Sequence, residues 1–170
     1  VDVPFTVRAM HGLLATSSLT EHGDHNAKSY LDDTLPASFT SGRNLLFLTV
    51  AASYAAERGI HDLVTGVCQT DYSGYPDCRR VTIDAMQLAL TLGCGAGDFR
   101  IHTPLMYLTK AETWKLAKEL GCLEVIVRDT LTDYDGDMTL NEWGRGSATN
   151  PASQLRLKGF YEAKAKGWLE

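Results

Sequence analysis

The stretch Gly66-Val-Cys-Gln-Thr-Asp-Tyr-Ser-Gly-Tyr-Pro-Asp-Cys-Arg79 decides how this chain is read. It follows a short apolar run, 61–67, and gathers Asp71, Ser73, Asp77 and Arg79 around a turn containing glycine and proline. Open α/β sheets place their ligand sites where a buried strand runs out into such a loop. Carboxylates, a hydroxyl and a guanidinium offer acceptors, donors and a fixed positive fork. That set suits a polar heterocycle or a charged intermediate. Taken alone, the same residues read as a surface turn with solvated charges, so the flanking segments decide.

Upstream, order begins at Ser41-Gly42-Arg43-Asn44, after which Leu45, Leu46, Leu48, Thr49, Ala52, Ala55 and Ala56 recur at helical spacing. Gly59 reads as the residue just past that helix. The run 61–67 reads as a buried strand. Downstream, 81–92 reads as an amphipathic helix with Val81, Ala85, Leu88, Ala89 and Leu92 on one face, ended by Gly93. A short strand is expected over 99–105. Thr109-Lys-Ala-Glu112 is a capping box, and its helix runs through Trp114, Leu116, Ala117 and Leu120 to Gly121. Val125-Ile126-Val127 reads as a short strand or a buried segment. Asn150-Pro151 starts a last helix over 151–166, with Gly159 as its weak point. The first 40 residues are weakly patterned, and 22–34 reads as a loop. Helix and strand alternate, so the expected class is α/β with an open, mostly parallel sheet and flanking helices, in one domain over 1–170. So few strands cover a parallel sheet poorly, and the sheet is expected to be incomplete at its N-terminal side.

Composition sets outer limits. The chain has 170 residues, 44% hydrophobic and 22% charged, enough for a real core. A net charge of −5 argues against a broad nucleic-acid-binding face, though not against a nucleotide as a small ligand. No apolar run approaches the ~20 residues that cross a bilayer. Residues 45–56 are shorter and are broken by Thr49, Ser53 and Tyr54. No secretory signal is visible, and the opening Val1 reads as that of a processed or partial chain. Cys68, Cys78, Cys94 and Cys122 form no C-x-x-C pair, and their spread suits reduced thiols in the cytoplasm. Cys68 and Cys122 read as small buried residues; Cys78, in the polar loop, is the candidate for reactivity.

Five ordered segments together resemble the 7-cyano-7-deazaguanine synthases of queuosine biosynthesis, members of the PP-loop ATP pyrophosphatase group. They are Phe39-x-x-Gly42-Arg43-Asn44-x-x-Phe47-Leu48; Thr65-Gly66-Val67 through Thr70-Asp71-x-Ser73-Gly74-Tyr75-Pro76-Asp77-Cys78-Arg79; Thr103-Pro104-Leu105 through Lys110-Ala111-Glu112-Thr113; Asp129-Thr130-Leu131-Thr132-x-Tyr134; and Leu155-Arg156-x-Lys158-Gly159-Phe160. The resemblance covers roughly residues 35–160. It implies an adenine nucleotide hydrolase-like fold, usually homodimeric, with 41–128 as the nucleotide- and base-binding core and 129–170 as a C-terminal region. It implies a ligase that turns 7-carboxy-7-deazaguanine and ammonia into the nitrile, with ATP activating the carboxylate and Mg²⁺ shielding the phosphates.

The chain departs from that family in two places. The family's S-G-G-x-D-S phosphate loop is absent from these residues, and Ser41-Gly42-Arg43 does not replace it. The expected source is a missing segment or a partner chain. The family also carries a C-terminal zinc site of four cysteines. At those positions stand Asp133, Ser147, Asn150 and Ser153, so no structural zinc and no metal ligands are expected. Asp133, Asp135 and Asp137 do not fit an EF-hand loop, since Met138 and Gly144 fall where glycine and glutamate are needed. They read as a solvated acidic turn.

Carried over residue by residue, the resemblance assigns catalysis to Arg79, Lys110 and Asp77. It assigns substrate and nucleotide binding to Arg43, Asn44, Gly66, Thr70, Asp71, Ser73 and Gly74. Each has a plainer alternative: helix capping for Arg43 and Asn44, a loop-shaping ion pair for Asp77 and Arg79, and a solvated side chain for Lys110. His61 and His102 read as structural, and Trp114 and Trp143 as packing residues. The competing functions are a non-catalytic deazapurine-binding or dimerisation module without ATP chemistry, and an amide-forming ligase acting on another carboxylate.

Overall fold

The computed structural model describes residues 39, 41–70, 75–95 and 97–170. They fall into two compact units, Phe39–Tyr107 and Leu108–Glu170. Among the described residues no helix is long and apolar enough to cross a membrane.

The first unit is built from α1 (Arg43–Ala56), β1 (Asp62–Val64), a 3₁₀ turn (Pro76–Cys78), α2 (Arg80–Gly93) and β2 (Arg100–His102). β1 and β2 pair in parallel, with Leu63 opposite Ile101. A parallel pair needs a crossover, which α2 supplies. The α/β reading from helix–strand alternation is therefore right for this unit, although the described sheet has only these two parallel strands. Gly59, at φ 65°, takes the left-handed conformation that turns the chain out of α1. The core joins Leu48, Ala52 and Ala55 of α1 to Ile83 and Leu90 of α2, and to Val67, Phe99, Ile101 and Met106.

Two expectations are corrected here. The strand from 61–67 shortens to Asp62–Val64 and is not buried, with Val64 73% exposed. The face of α2 turned to the core carries Ile83 and Leu90, whereas Val81, Ala85, Leu88, Ala89 and Leu92 all lie exposed. Both stripes are apolar, and periodicity alone does not choose between them. The inner stripe is fixed by polar side chains that bind β2. The Gln87 carbonyl accepts from the Ile101 amide at 2.8 Å, and Thr91 Oγ1 accepts from the Phe99 amide at 3.2 Å.

The second unit holds α3 (Lys110–Glu119), α4 (Leu123–Asp129), the two-residue strands β3 (Leu140–Asn141) and β4 (Gly144–Arg145), and α5 (Pro151–Ala165). The capping box forms as expected: Thr109 Oγ1 accepts from the Glu112 amide, and Glu112 accepts from the Thr109 amide at 2.8 Å. Asn150 caps α5 by accepting from the Ser153 amide at 3.1 Å. The 125–127 segment is helical, a correction to the strand alternative. Leu123, Ile126 and Val127 pack at helical spacing on a core of Ala111, Trp114, Trp143, Phe160 and Ala163. The Trp114 and Phe160 rings meet edge to face at 5.1 Å.

Candidate functional site

The first unit's strands end at Val64 and His102, and the segments that leave them stay together. The Thr65 amide donates to the His102 carbonyl at 3.0 Å, and the Gln69 amide to the Met106 carbonyl at 2.8 Å. Beyond these strand ends opens a hollow of about 470 Å³, lined by Gln69, Arg79, Arg80, Val81, Asp84 and Tyr107. It lies where parallel sheets bind their ligands, outside the carboxyl ends of the strands.

Its polar wall is set by Arg80. The Arg80 amide donates to Gln69 Oε1 at 2.9 Å, Nη1 donates to Thr103 Oγ1 at 2.7 Å, and Nη2 pairs with Asp84 Oδ1 at 2.5 Å. These bonds tie both strand exits to the first turn of α2. Gln69 gives its carbonyl oxygen to that cap and retains its amide nitrogen as a donor. Arg79 occupies the N-cap position of α2 with extended backbone and an exposed side chain. Its charge stands beside the positive end of the helix, a setting that favours an anion. Tyr107, 62% exposed, and Val81 supply the apolar part of the lining.

Asp77 and Cys78 of the 3₁₀ turn are tied to Asn44 of α1. Gly42, the N-cap of α1, has no side chain to cap with. Asp77, only 4% exposed, supplies the acceptor instead: its Oδ2 takes the Asn44 amide at 3.0 Å. Asn44 Nδ2 donates to Cys78 Sγ at 3.3 Å. The Asp77 carboxylate therefore caps a helix from 33 positions away. Arg43, beside Asn44, is half-buried, Gly66 lies against the Leu105 side chain, and Thr70 Oγ1 meets Cys68 Sγ at 2.9 Å. Cys68 is buried as expected, while Cys122 is only half-buried. Asp71, Ser73 and Gly74 lie outside the described residues.

Lys110 belongs to the second unit and opens α3. There the four positions considered for metal, Asp133, Ser147, Asn150 and Ser153, do come together. Asp133 is not a solvated acid, a correction to that reading; it is 7% exposed. Its Oδ2 accepts from the Ser147 amide and hydroxyl, both at 2.9 Å. Its Oδ1 accepts from the Asp135 amide at 2.9 Å and from Asn150 Nδ2 at 2.8 Å. Burial opposes ionisation here, but the hydrogen bonds from Ser147, Asp135 and Asn150 outweigh it and hold the carboxyl far below its ordinary range. Among the described residues no group of His, Cys, Asp and Glu is placed to hold a metal ion. The donor set explains why zinc does not fit: hydroxyl and amide hydrogens converge on this centre, and no thiolate does.

Several site residues escaped the sequence reading. Gln69 and Tyr107 come together through the pairing of the strand exits, which brings 69 beside 106, and Arg80 joins them through its bonds to Gln69 and Thr103. In the sequence Arg156 is marked only by its place in the Leu155-Arg156-x-Lys158 segment. Its buried guanidinium donates to the carbonyls of Trp143 and Ile126, at 2.9 and 2.8 Å, and to the hydroxyls of Thr130 and Thr132, at 2.9 and 3.0 Å. His102 pairs with Asp62 at 2.7 Å, while His61 Nδ1 has no hydrogen-bond partner among the described residues.

Comparison with known proteins agrees with the sequence resemblance. The family model described as queuosine biosynthesis protein QueC matches residues 2–164. A 7-cyano-7-deazaguanine synthase of Caulobacter vibrioides is 51% identical over 155 residues, which cover 89% of this chain and 62% of that protein. A synthase of the same name from Methylorubrum extorquens is 47% identical over 156 residues, 86% of this chain and 64% of the relative. One from Sphingopyxis alaskensis, 7-cyano-7-deazaguanine synthase 2, is 50% identical over 137 residues, 78% and 58% respectively. The chain thus spans about three fifths of the length of the curated relatives it matches.

Proposed function

The chain belongs to the QueC family of queuosine biosynthesis proteins, and on that footing we propose that it serves an ATP-dependent ligase that converts 7-carboxy-7-deazaguanine and ammonia into 7-cyano-7-deazaguanine. The observation that carries this reading is the hollow beyond β1 and β2, with Arg79 on its rim. A guanidinium there is the fitting partner for the substrate's carboxylate, which it grips through two parallel hydrogen bonds. Gln69 reads a polar edge of the ring, and the Tyr107 ring covers one of its faces. Arg80, held by Thr103 and Asp84, keeps that wall rigid.

In the same reading the fold is that of the PP-loop group, in a cytoplasmic homodimer. ATP, with Mg²⁺ on its phosphates, activates the carboxylate so that ammonia displaces a good leaving group. Arg43, Asn44, Gly66, Thr70, Asp71, Ser73 and Gly74 form the substrate and nucleotide surround. Asp77 acts by fixing the start of α1, and Lys110 meets an anionic group at the start of α3. A phosphate loop comes from a further segment or a partner chain, and the C-terminal region uses no zinc.

Titration calorimetry with 7-carboxy-7-deazaguanine tests the binding half, and pyrophosphate release with ATP and ammonium tests the ligase half. Arg79→Ala is expected to weaken binding of the ring acid about 10- to 100-fold, the scale of a lost hydrogen bond to a charged group. Binding without pyrophosphate release favours the non-catalytic module. No measurable affinity for the ring acid sinks both readings.

A further inference from the structure

We propose that Asp133 is the organising charge of the second unit, holding its loop, hairpin and last helix together without a metal ion. The proposal stands on hydrogen-bond geometry and does not depend on the ligase reading. Five donors point at one buried carboxylate: the amides of Asp135, Asp137 and Ser147, the Ser147 hydroxyl and the Asn150 side-chain amide. A carboxylate has about four lone-pair sites, so its accepting capacity is filled. The donors come from three places: the loop after α4, the segment leaving β4, and the N-cap of α5.

The network continues inward. Asn150 Oδ1 accepts from the Ser153 amide at 3.1 Å and the Ser153 hydroxyl at 3.2 Å, and Ser153 is fully buried. Ser147 Oγ also meets Thr149 Oγ1 at 2.6 Å. These four positions, at which the family resemblance expects thiolates around a cation, therefore form a connected set around an anion. The chemistry is inverted: hydrogens, not lone pairs, line the centre. Gly146 packs closely against this centre. A Cβ at Gly146 would stand 3.2 Å from both Asp133 Oδ2 and Ser153 Cβ. Asp135 completes the acid side, with its Oδ2 accepting from Asn150 Nδ2 at 3.1 Å.

The test uses the purified full chain. Metal content is measured by plasma mass spectrometry after dialysis, and melting is followed with and without EDTA. The expected result is no stoichiometric zinc and a melting temperature that EDTA does not move. Asp133→Asn, which turns an N–H toward the converging donors, is expected to lower the melting temperature by roughly 5–10 °C. Ser147→Ala, which removes one of the five donors and keeps the carboxylate, is expected to lower it by roughly 2–5 °C and stands in if the first variant does not fold. The variant D133C/S147C/N150C/S153C is expected to take up one zinc and to become EDTA-sensitive, because the four positions already converge. Stoichiometric zinc in the unaltered protein, or melting of Ser147→Ala that matches it, overturns the proposal.

Discussion

Gly159 lies directly against Lys110: a Cβ at Gly159 would stand 2.5 Å from Lys110 Cβ and 3.0 Å from the Lys110 carbonyl carbon. The first turn of α3 and the middle of α5 therefore touch nearly backbone to backbone. The glycine that reads as a weak point in a helix is what permits this crossing. Gly159→Ala makes the sign of the effect informative. In an ordinary helix interior the change stabilises by up to about 1 kcal/mol. Here overpacking is expected to dominate and to destabilise by about 1–3 kcal/mol, read as a lower urea midpoint with an unchanged slope.

The Asp133 carboxyl gives a pH dependence with a defined sign. Its folded-state value is depressed below the ordinary 3.8. Its stabilisation is therefore complete only above about pH 5 and is lost progressively as the pH falls, because the unfolded chain takes up the proton first. Urea unfolding between pH 7 and pH 2.5 is expected to show a steep acid limb. Asp133→Asn is expected to flatten that limb, since the variant has no proton to gain.

Arg156 makes a third case. Its side chain is the only described group that ties Trp143, Ile126, Thr130 and Thr132 together. Burial pulls its pKa down, yet arginine stays charged at any working pH. Arg156→Lys keeps the charge but loses the planar fork, leaving buried acceptors unmatched. A loss of about 2–4 kcal/mol is expected, measured by thermal or chemical unfolding. Gly144→Ala is expected to fail in the same way, because its Cβ would run into the Arg156 guanidinium.

Asp77→Ala removes the acceptor that the start of α1 lacks in its own sequence. The expected cost is about 1–2 kcal/mol, concentrated at one helix end. Hydrogen exchange is the discriminating measurement, with the amides of the first α1 turn exchanging faster while those of α3 and α5 keep their protection.

How far these features were legible depends on their range. Thr109 with Glu112, and Asn150 with Ser153, announce their helices because cap and capped amide lie three positions apart. Arg79 stood out for a similar local reason. The face of α2 did not, because Ile83 and Leu90 compete with an equally apolar Val81, Leu88 and Leu92, and the packing partners decide. The β-branched run at 125–127 suggested a strand, yet contacts of Leu123, Ile126 and Val127 with the core override that propensity. Tyr107 and Gln69 became site residues only once the strand exits were seen to pair. The Asp133 centre is half legible: the resemblance to the family's cysteine positions groups its four residues, while the burial of Asp133 depends on packing.

The side chains of Gln87 and Thr91 have a directional consequence for the sheet. By occupying the Ile101 and Phe99 amides they seal the outer flank of β2 with a helix. A newcomer strand, whatever its origin, meets spent donors along that edge. That closure is written into two uncharged residues of a helix.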